Sequence, residues 1–172
     1  WHPSRRILFI QEDGGQIRQG DVATLFDNQF SEIHTIQKRE HTYWLGTDKG
    51  LWSYNTENEV LLPFLQFNEF SDFKDSYIHY MHPIKKGEYW IATNKGLFRW
   101  QVHQGIVEQF SQQAKEHFYI PADNIYHLQQ LEDGTLWLAT RNGILHLSLH
   151  AEVQFENGHH YEMFTKQEGL LS

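Results

Sequence analysis

Short apolar runs, broken by clusters of Gly, Asp, Asn and charged residues, fill this chain, and their lengths are those of strands. Ile33-His34-Thr35-Ile36-Gln37, Tyr43-Trp44-Leu45-Gly46-Thr47 and Leu51-Trp52-Ser53-Tyr54 are three such runs, joined by the polar turn 38–41 and by Asp48-Lys49-Gly50. The order then returns. Trp44-Leu45-Gly46-Thr47-Asp48-Lys49-Gly50-Leu51 is answered by Trp90-Ile91-Ala92-Thr93-Asn94-Lys95-Gly96-Leu97 and by Trp137-Leu138-Ala139-Thr140-Arg141-Asn142-Gly143-Ile144, the tryptophans 46 and 47 residues apart. A fixed period of this size marks a repeat architecture.

The first whole repeat spans 31–75, with a fourth strand over Leu61 to Phe67 that contains Pro63. Proline donates nothing to a ladder, so that strand belongs at a sheet edge. The second, 76–122, has strands over Ile78 to Met81, Tyr89 to Thr93, Leu97 to Trp100 and Ile106 to Phe110. An insertion follows at 111–119, in which 112–116 are expected to make one short helical turn. The third, 123–172, has strands over Ile125 to Leu131, Leu136 to Thr140 and Ile144 to Leu147, and a last one near His160 to Phe164. Residues 1–30 read as the last two strands of a preceding unit, Arg6 to Gln11 and Val22 to Phe26. The tail 164–172 reads as the start of a further one.

Four short antiparallel strands per repeat, with no helical period, fit a blade of a β-propeller. The predicted fold is all-β, one partial propeller domain over 1–172. It holds about three and a half four-stranded blades, an incomplete ring, since closed propellers carry four to eight. The expected partners are the remaining blades of a larger propeller or another copy of the chain, because open blade faces are a liability. Trp44, Trp90 and Trp137 are expected to pack blade against blade. Thr47, Thr93 and Thr140, with Gly50, Gly96 and Gly143, are expected to build the turn that sets strand register, glycine supplying the positive φ.

Composition narrows the function. Of 172 residues 40% are apolar and 15% aromatic, enough for a packed core, and the net charge of −8 argues against a surface that tracks nucleic-acid phosphates. No basic amphipathic stretch points to direct membrane contact, and no apolar run is long enough to span a bilayer. With no cysteine there is no disulfide, thiolate metal site or cysteine nucleophile.

The repeated pattern Ile-x-x-Ile, turn, aromatic-Trp-Leu/Ile-Gly/Ala-Thr-x-x-Gly-Leu/Ile, a strand ending in Phe, and a Gly-Leu segment such as Gly169-Leu170 resembles the two-component regulator propeller repeat. Ala92 and Ala139 stand where that pattern usually has glycine. The resemblance implies a periplasmic, extracytoplasmic sensor module of a membrane-anchored bacterial receptor. The output there is a histidine kinase, hybrid kinase or diguanylate cyclase encoded outside these residues. It also implies a small-molecule or oligosaccharide signal.

Twelve histidines raise a metal reading. His34 and His79 occupy equivalent first-strand positions, while His127 falls one position later, where the other repeats have Thr35 and Tyr80. First strands line the channel of a propeller, so His34, His79, Tyr80 and His127 are the candidate ligand-binding residues. Zinc needs three or four convergent ligands, and positions on separate blades do not supply them by pattern, so no metal site and no cofactor is assigned. His159-His160 is read as an exposed turn. The turn pairs Asp48-Lys49, Asn94-Lys95 and Arg141-Asn142 are read as turn chemistry. No nucleophile elbow, phosphate loop, His-Glu-x-x-His or carboxylate pair is visible, so no catalytic residue is assigned. The reading is a non-catalytic recognition module. Its alternatives are an interaction scaffold, or a lyase or hydrolase using channel histidines.

Overall fold

In a computed structural model, residues 7–11, 17–21, 26–64, 73, 75–114, 119–149 and 160–165 are described. Among the described residues fourteen strands run in chain order: β1 Ile7–Gln11, β2 Ile17–Asp21, β3 Ile33–Arg39, β4 Thr42–Thr47, β5 Gly50–Asn55, β6 Val60–Pro63, β7 Ile78–Lys85, β8 Glu88–Thr93, β9 Gly96–Gln101, β10 Gly105–Phe110, β11 Ile125–Gln130, β12 Leu136–Thr140, β13 Gly143–Ser148 and β14 His160–Phe164. They form a two-stranded sheet, β1-β2, and three four-stranded antiparallel meanders, β3-β4-β5-β6, β7-β8-β9-β10 and β11-β12-β13-β14. These are propeller blades, left open among the described residues.

Turn chemistry sets each blade. Thr47 Oγ1 donates to the Gly50 carbonyl at 2.7 Å and accepts from the Lys49 N–H at 3.0 Å. Thr93 and Thr140 do the same to Gly96 and Gly143, each at 2.9 Å. The three glycines have φ of 85°, 113° and 144°. The turn also joins blades: the Gly50 N–H donates to the Ser76 carbonyl at 3.0 Å, and Gly96 to Asp123 at 2.7 Å. Register and blade stacking therefore share one residue.

Every residue of β8 is buried, because both faces are covered. Tyr89 and Ile91 face the first blade, in a core with Leu51, Ile78, Met81, Phe98 and Trp100, while Trp90 and Ala92 join Ile125, Leu128, Leu136, Leu138 and Leu145 of the third. Burying such a side chain contributes about 1.5–3 kcal/mol. These two layers hold the blades together. On the far side of the first blade, Phe26 and Phe30 cover Leu45, Trp52 and Tyr54.

A tryptophan and a phenylalanine from the fourth-strand end pair in every blade: Trp44 with Phe64 at 5.9 Å, Trp90 with Phe110 at 6.0 Å and Trp137 with Phe164 at 5.7 Å between ring centroids. The next blade covers the first two pairs. In the third, Trp137 is half-buried on the outward face of the last sheet, stacked on His146 beside the exposed Ala139 and the 37% exposed Phe164.

Two expectations change, and a third falls partly outside the described residues. The strand that pairs with β1 is β2, since Gln11 lies opposite Ile17; of the expected strand Val22 to Phe26, residues 22–25 lie outside the described residues and Phe26 opens a turn. In the insertion, Ser111 bridges Tyr119 in parallel, and the Ala114 N–H reaches the Ser111 carbonyl at 3.4 Å, closing one turn; 115–118 lie outside the described residues. His160 opens β14, opposite Ser148, instead of sitting in a turn, while His159 lies outside the described residues. The tail 166–172 is likewise outside them.

Candidate functional site

The first strands β3, β7 and β11 lie side by side on the inner edge of the three blades. Each breaks its pairing with the second strand at the same place. Ile33 pairs with Thr47 and Thr35 with Gly46; Ile78 with Thr93 and Tyr80 with Ala92; Ile125 with Thr140 and His127 with Ala139. The residue left over in each case is His34, His79 or Tyr126. A bulge of this kind leaves one residue unpaired and re-aims its side chain. Here the three repeats aim theirs into one row.

Four rings make that row. His34 lies 4.4 Å from Tyr77, Tyr77 4.9 Å from His79, and His79 5.2 Å from Tyr126, centroid to centroid. Tyr77 is thus flanked by two imidazoles, whose own centroids are 6.3 Å apart. Polar bonds cross each blade boundary. The Tyr77 hydroxyl donates to Glu32 Oε2 at 2.7 Å, and that oxygen lies 3.4 Å from His34 Nε2. His79 Nε2 meets Asn124 Oδ1 at 3.1 Å, and Asn124 Nδ2 reaches the Tyr126 hydroxyl at 3.4 Å. Burial holds the His79 pKa below its usual value; the Asn124 bond works against that shift and the nearby His34 adds to it. At neutral pH His79 is therefore a neutral imidazole.

The backbone behind the row is fixed by the turns at the same end of each blade. Asp48 Oδ1 accepts from the N–H groups of Ser31 and Glu32 at 2.9 and 3.0 Å, and Asn94 Oδ1 from Tyr77 at 2.8 Å. The N–H groups of Asp48, Asn94 and Arg141 return to the carbonyls of Glu32, Tyr77 and Asn124 at 3.3, 3.2 and 3.2 Å. These polar turn residues position the row.

Of the four residues singled out from sequence, the fold brings His34 and His79 into the row. It places Tyr80 and His127 in a separate stacked pair, centroids 4.0 Å apart, with His82 6.5 Å from Tyr80. Burial, then the charge of His127, lowers the His82 pKa. Tyr77, Tyr126, Glu32 and Asn124 were not singled out. Tyr126 was within reach, since it follows Ile125 as His34 follows Ile33 and His79 follows Ile78. No group of three or more His, Cys, Asp or Glu able to hold a metal ion occurs among the described residues.

Residues 119–142, which contain β11 and β12, match the family model described as the two component regulator propeller. Two solved structures of the extracellular domain of BT4673 from B. thetaiotaomicron share the fold. One is described as a putative one component system, with TM-score 0.61, 17% identity, and 93% of this chain and 22% of that chain covered. The other, described as a putative hybrid two component system, also has TM-score 0.61 and 17% identity, and the match covers 95% of this chain and 22% of that one. The chain spans about a fifth of the length of those structures. No curated protein matches the sequence.

Proposed function

We propose, from a chain that carries the two-component regulator propeller repeat, that it is part of the recognition propeller of a bacterial signal-transduction receptor, held on the periplasmic side and not itself catalytic. The observation that carries the reading is the row His34-Tyr77-His79-Tyr126, in which His34, His79 and Tyr126 come from equivalent positions of three blades and which crosses two blade boundaries. A ligand on that row contacts three blades at once. It therefore binds one relative arrangement of them better than another, which is what a signal needs to shift a receptor between states.

The signal is a small molecule or an oligosaccharide. The Trp137 and Phe164 face of the third blade takes a further blade of a larger propeller, or a second copy, as Trp44 and Trp90 take the blades that follow them.

The test is a binding screen on the purified chain by thermal shift and calorimetry, against oligosaccharides and small solutes, with His79→Ala in parallel. Saturable binding that weakens at least tenfold in His79→Ala, with no product formed, is expected. Product formation abolished by His79→Ala would instead make the row a lyase or hydrolase centre. Tight capture of a protein with no solute bound would make the propeller a scaffold.

A further inference from the structure

We propose that Arg39 and Lys86, at the end of the first two blades away from the aromatic row, form a second site, for the oxyanion of a solute ligand. β3 lays alternate side chains on the second blade. Thr35 Oγ1 accepts the Met81 N–H at 3.4 Å, and Gln37 Nε2 donates to the Met81 carbonyl at 3.0 Å. Arg39 is next on that face, and its guanidinium lies over Gly87, in the two-residue turn between β7 and β8. Nη1, Cζ and Nη2 are 3.2, 3.7 and 3.8 Å from the point where a Cβ on Gly87 would stand. Gly87 has φ of 78°, so glycine both suits the turn and leaves the room that the arginine fills. Arg39 ends the strand that His34 begins, about 16 Å further along it. The site is therefore independent of the row.

The charge at this corner lacks a counterion. Two positions beyond Gln37 the first blade has half-buried Arg39; two beyond the equivalent His82 the second has Ile84, packed against the core it shares with the third. An apolar side chain serves at that place, and a guanidinium there gives up hydration that an acceptor has to replace. Among the described residues the side chains of Arg39 and Lys86 make no hydrogen bond or ion pair. The carboxylates around them are Glu88, held by Lys85 and Arg99, Glu57, 3.6 Å from His41, and exposed Glu40, which forms no ion pair among the described residues. Lys38, over the Tyr43 ring at 5.6 Å, and Lys85 add to the positive field although each has a partner. On a chain of net charge −8 this is a basic corner. A guanidinium offers a planar fork of N–H donors that grips an oxyanion through paired, charge-assisted bonds, and the ammonium adds a point charge beside it.

Citrate and sulfate, titrated into the purified chain at pH 7 against chloride at equal ionic strength, test the site, with the Arg39 Nε–H and the Lys86 and Gly87 amide signals followed by NMR. Saturable shifts confined to these signals are expected with at least one of the two anions and not with chloride. The anion that saturates at the lower concentration tells a carboxylate ligand from a tetrahedral one. Arg39→Ile is expected to weaken that anion at least tenfold and, in chloride, to melt no lower than the parent, as Ile84 serves at the matching place. Lys86→Ala, at an exposed position, is expected to weaken it several-fold with the melting temperature unchanged, and decides the matter if Arg39→Ile fails to fold. Shifts that are as large in chloride, that spread over basic residues elsewhere, or that survive both variants overturn the site. Arg39→Ile melting below the parent in chloride, with Lys86→Ala binding the anion unchanged, gives the guanidinium a structural role and overturns it too.

Discussion

Gly46→Ala tests whether the repeat tolerates at one blade the residue it uses at the other two. Ala92 and Ala139 occupy the equivalent positions, so the repeat pattern alone treats the change as mild. The packing says otherwise. A Cβ at Gly46 would lie 2.5 Å from Cγ2 of Ile78 and 2.5 Å from Cγ2 of Thr35, where ordinary carbon contacts sit at about 3.5–4.0 Å. Neither methyl is at the end of a long side chain, so the clash has to be relieved by backbone movement between the first two blades. Overpacking of this kind costs about 1–3 kcal/mol. Replacing glycine stiffens the unfolded chain and returns about 0.4–1 kcal/mol. The clash wins, for a net loss of about 1–2 kcal/mol.

At Ala92 the position equivalent to Thr35 is Tyr80, which has no branched Cβ methyl and whose ring stacks on His127. In urea, followed by tryptophan fluorescence, Gly46→Ala should lower the midpoint by roughly 0.5–1 M at a slope of about 2 kcal/mol per M. Thr35→Ser deletes one clashing methyl while keeping the oxygen that accepts the Met81 N–H at 3.4 Å. The double variant should therefore recover part of the loss, with a coupling of at least about 0.5 kcal/mol. A Gly46→Ala midpoint at or above that of the parent would refute the argument.

Three further outcomes follow from the same packing and charges. Trp90→Ala, at a site 3% exposed between blades, should cost about 3–5 kcal/mol. Trp137→Ala, on the outward face, should cost less than half as much by the same urea assay, and equal losses would mean that its face is covered. Arg99 binds Glu88 through Nε and Glu108 through a 2.8 Å contact, while Lys85 lies 2.9 Å from the second oxygen of Glu88, itself 3% exposed. Removing one partner of a buried pair costs about 3–5 kcal/mol; with Lys85 retained and Arg99 partly exposed, Arg99→Met should cost about 2–3 kcal/mol. Adding Glu88→Gln should restore some of that, and a double variant no better than the single would count against a buried charge as the cause. Acidification should lower stability in two windows. His79 and His82 have lowered pKa values, burial being the first cause, so their contribution is intact above the ordinary 6.5 and is lost as pH falls through the lowered values. Burial raises the Glu88 pKa, but bonds to Lys85, Arg99 and Gln101 and the charge of Arg99 outweigh it, so its contribution is intact above the ordinary 4.5 and lost below. Melting curves from pH 7.5 to 3.5 check this, and a His79→Gln/His82→Gln pair should flatten the upper window.

Local chemistry settled most of the blade. Thr-x-x-Gly turns with glycine at positive φ, Pro63 on an edge strand, and apolar runs of strand length are each decided by neighbours in the chain, so strand order and repeat boundaries could be read directly. The equivalence of His34 and His79 was legible for the same reason. The β2 position was not, because its pairing depends on register across a turn and not on how apolar Val22 to Phe26 is.

What only the tertiary structure decided is what meets across a blade boundary. Residues 45 apart, Glu32 and Tyr77, or His79 and Asn124, bond because first strands lie edge to edge, and a bulge in each strand re-aims the next side chain into the same row. A repeat pattern states that positions are equivalent and says nothing of which neighbour each one touches. Trp90 and Trp137 occupy the same place in the sequence of a blade, yet one is core and the other half-open. Among the described residues the third blade packs against Trp90, and none packs against Trp137.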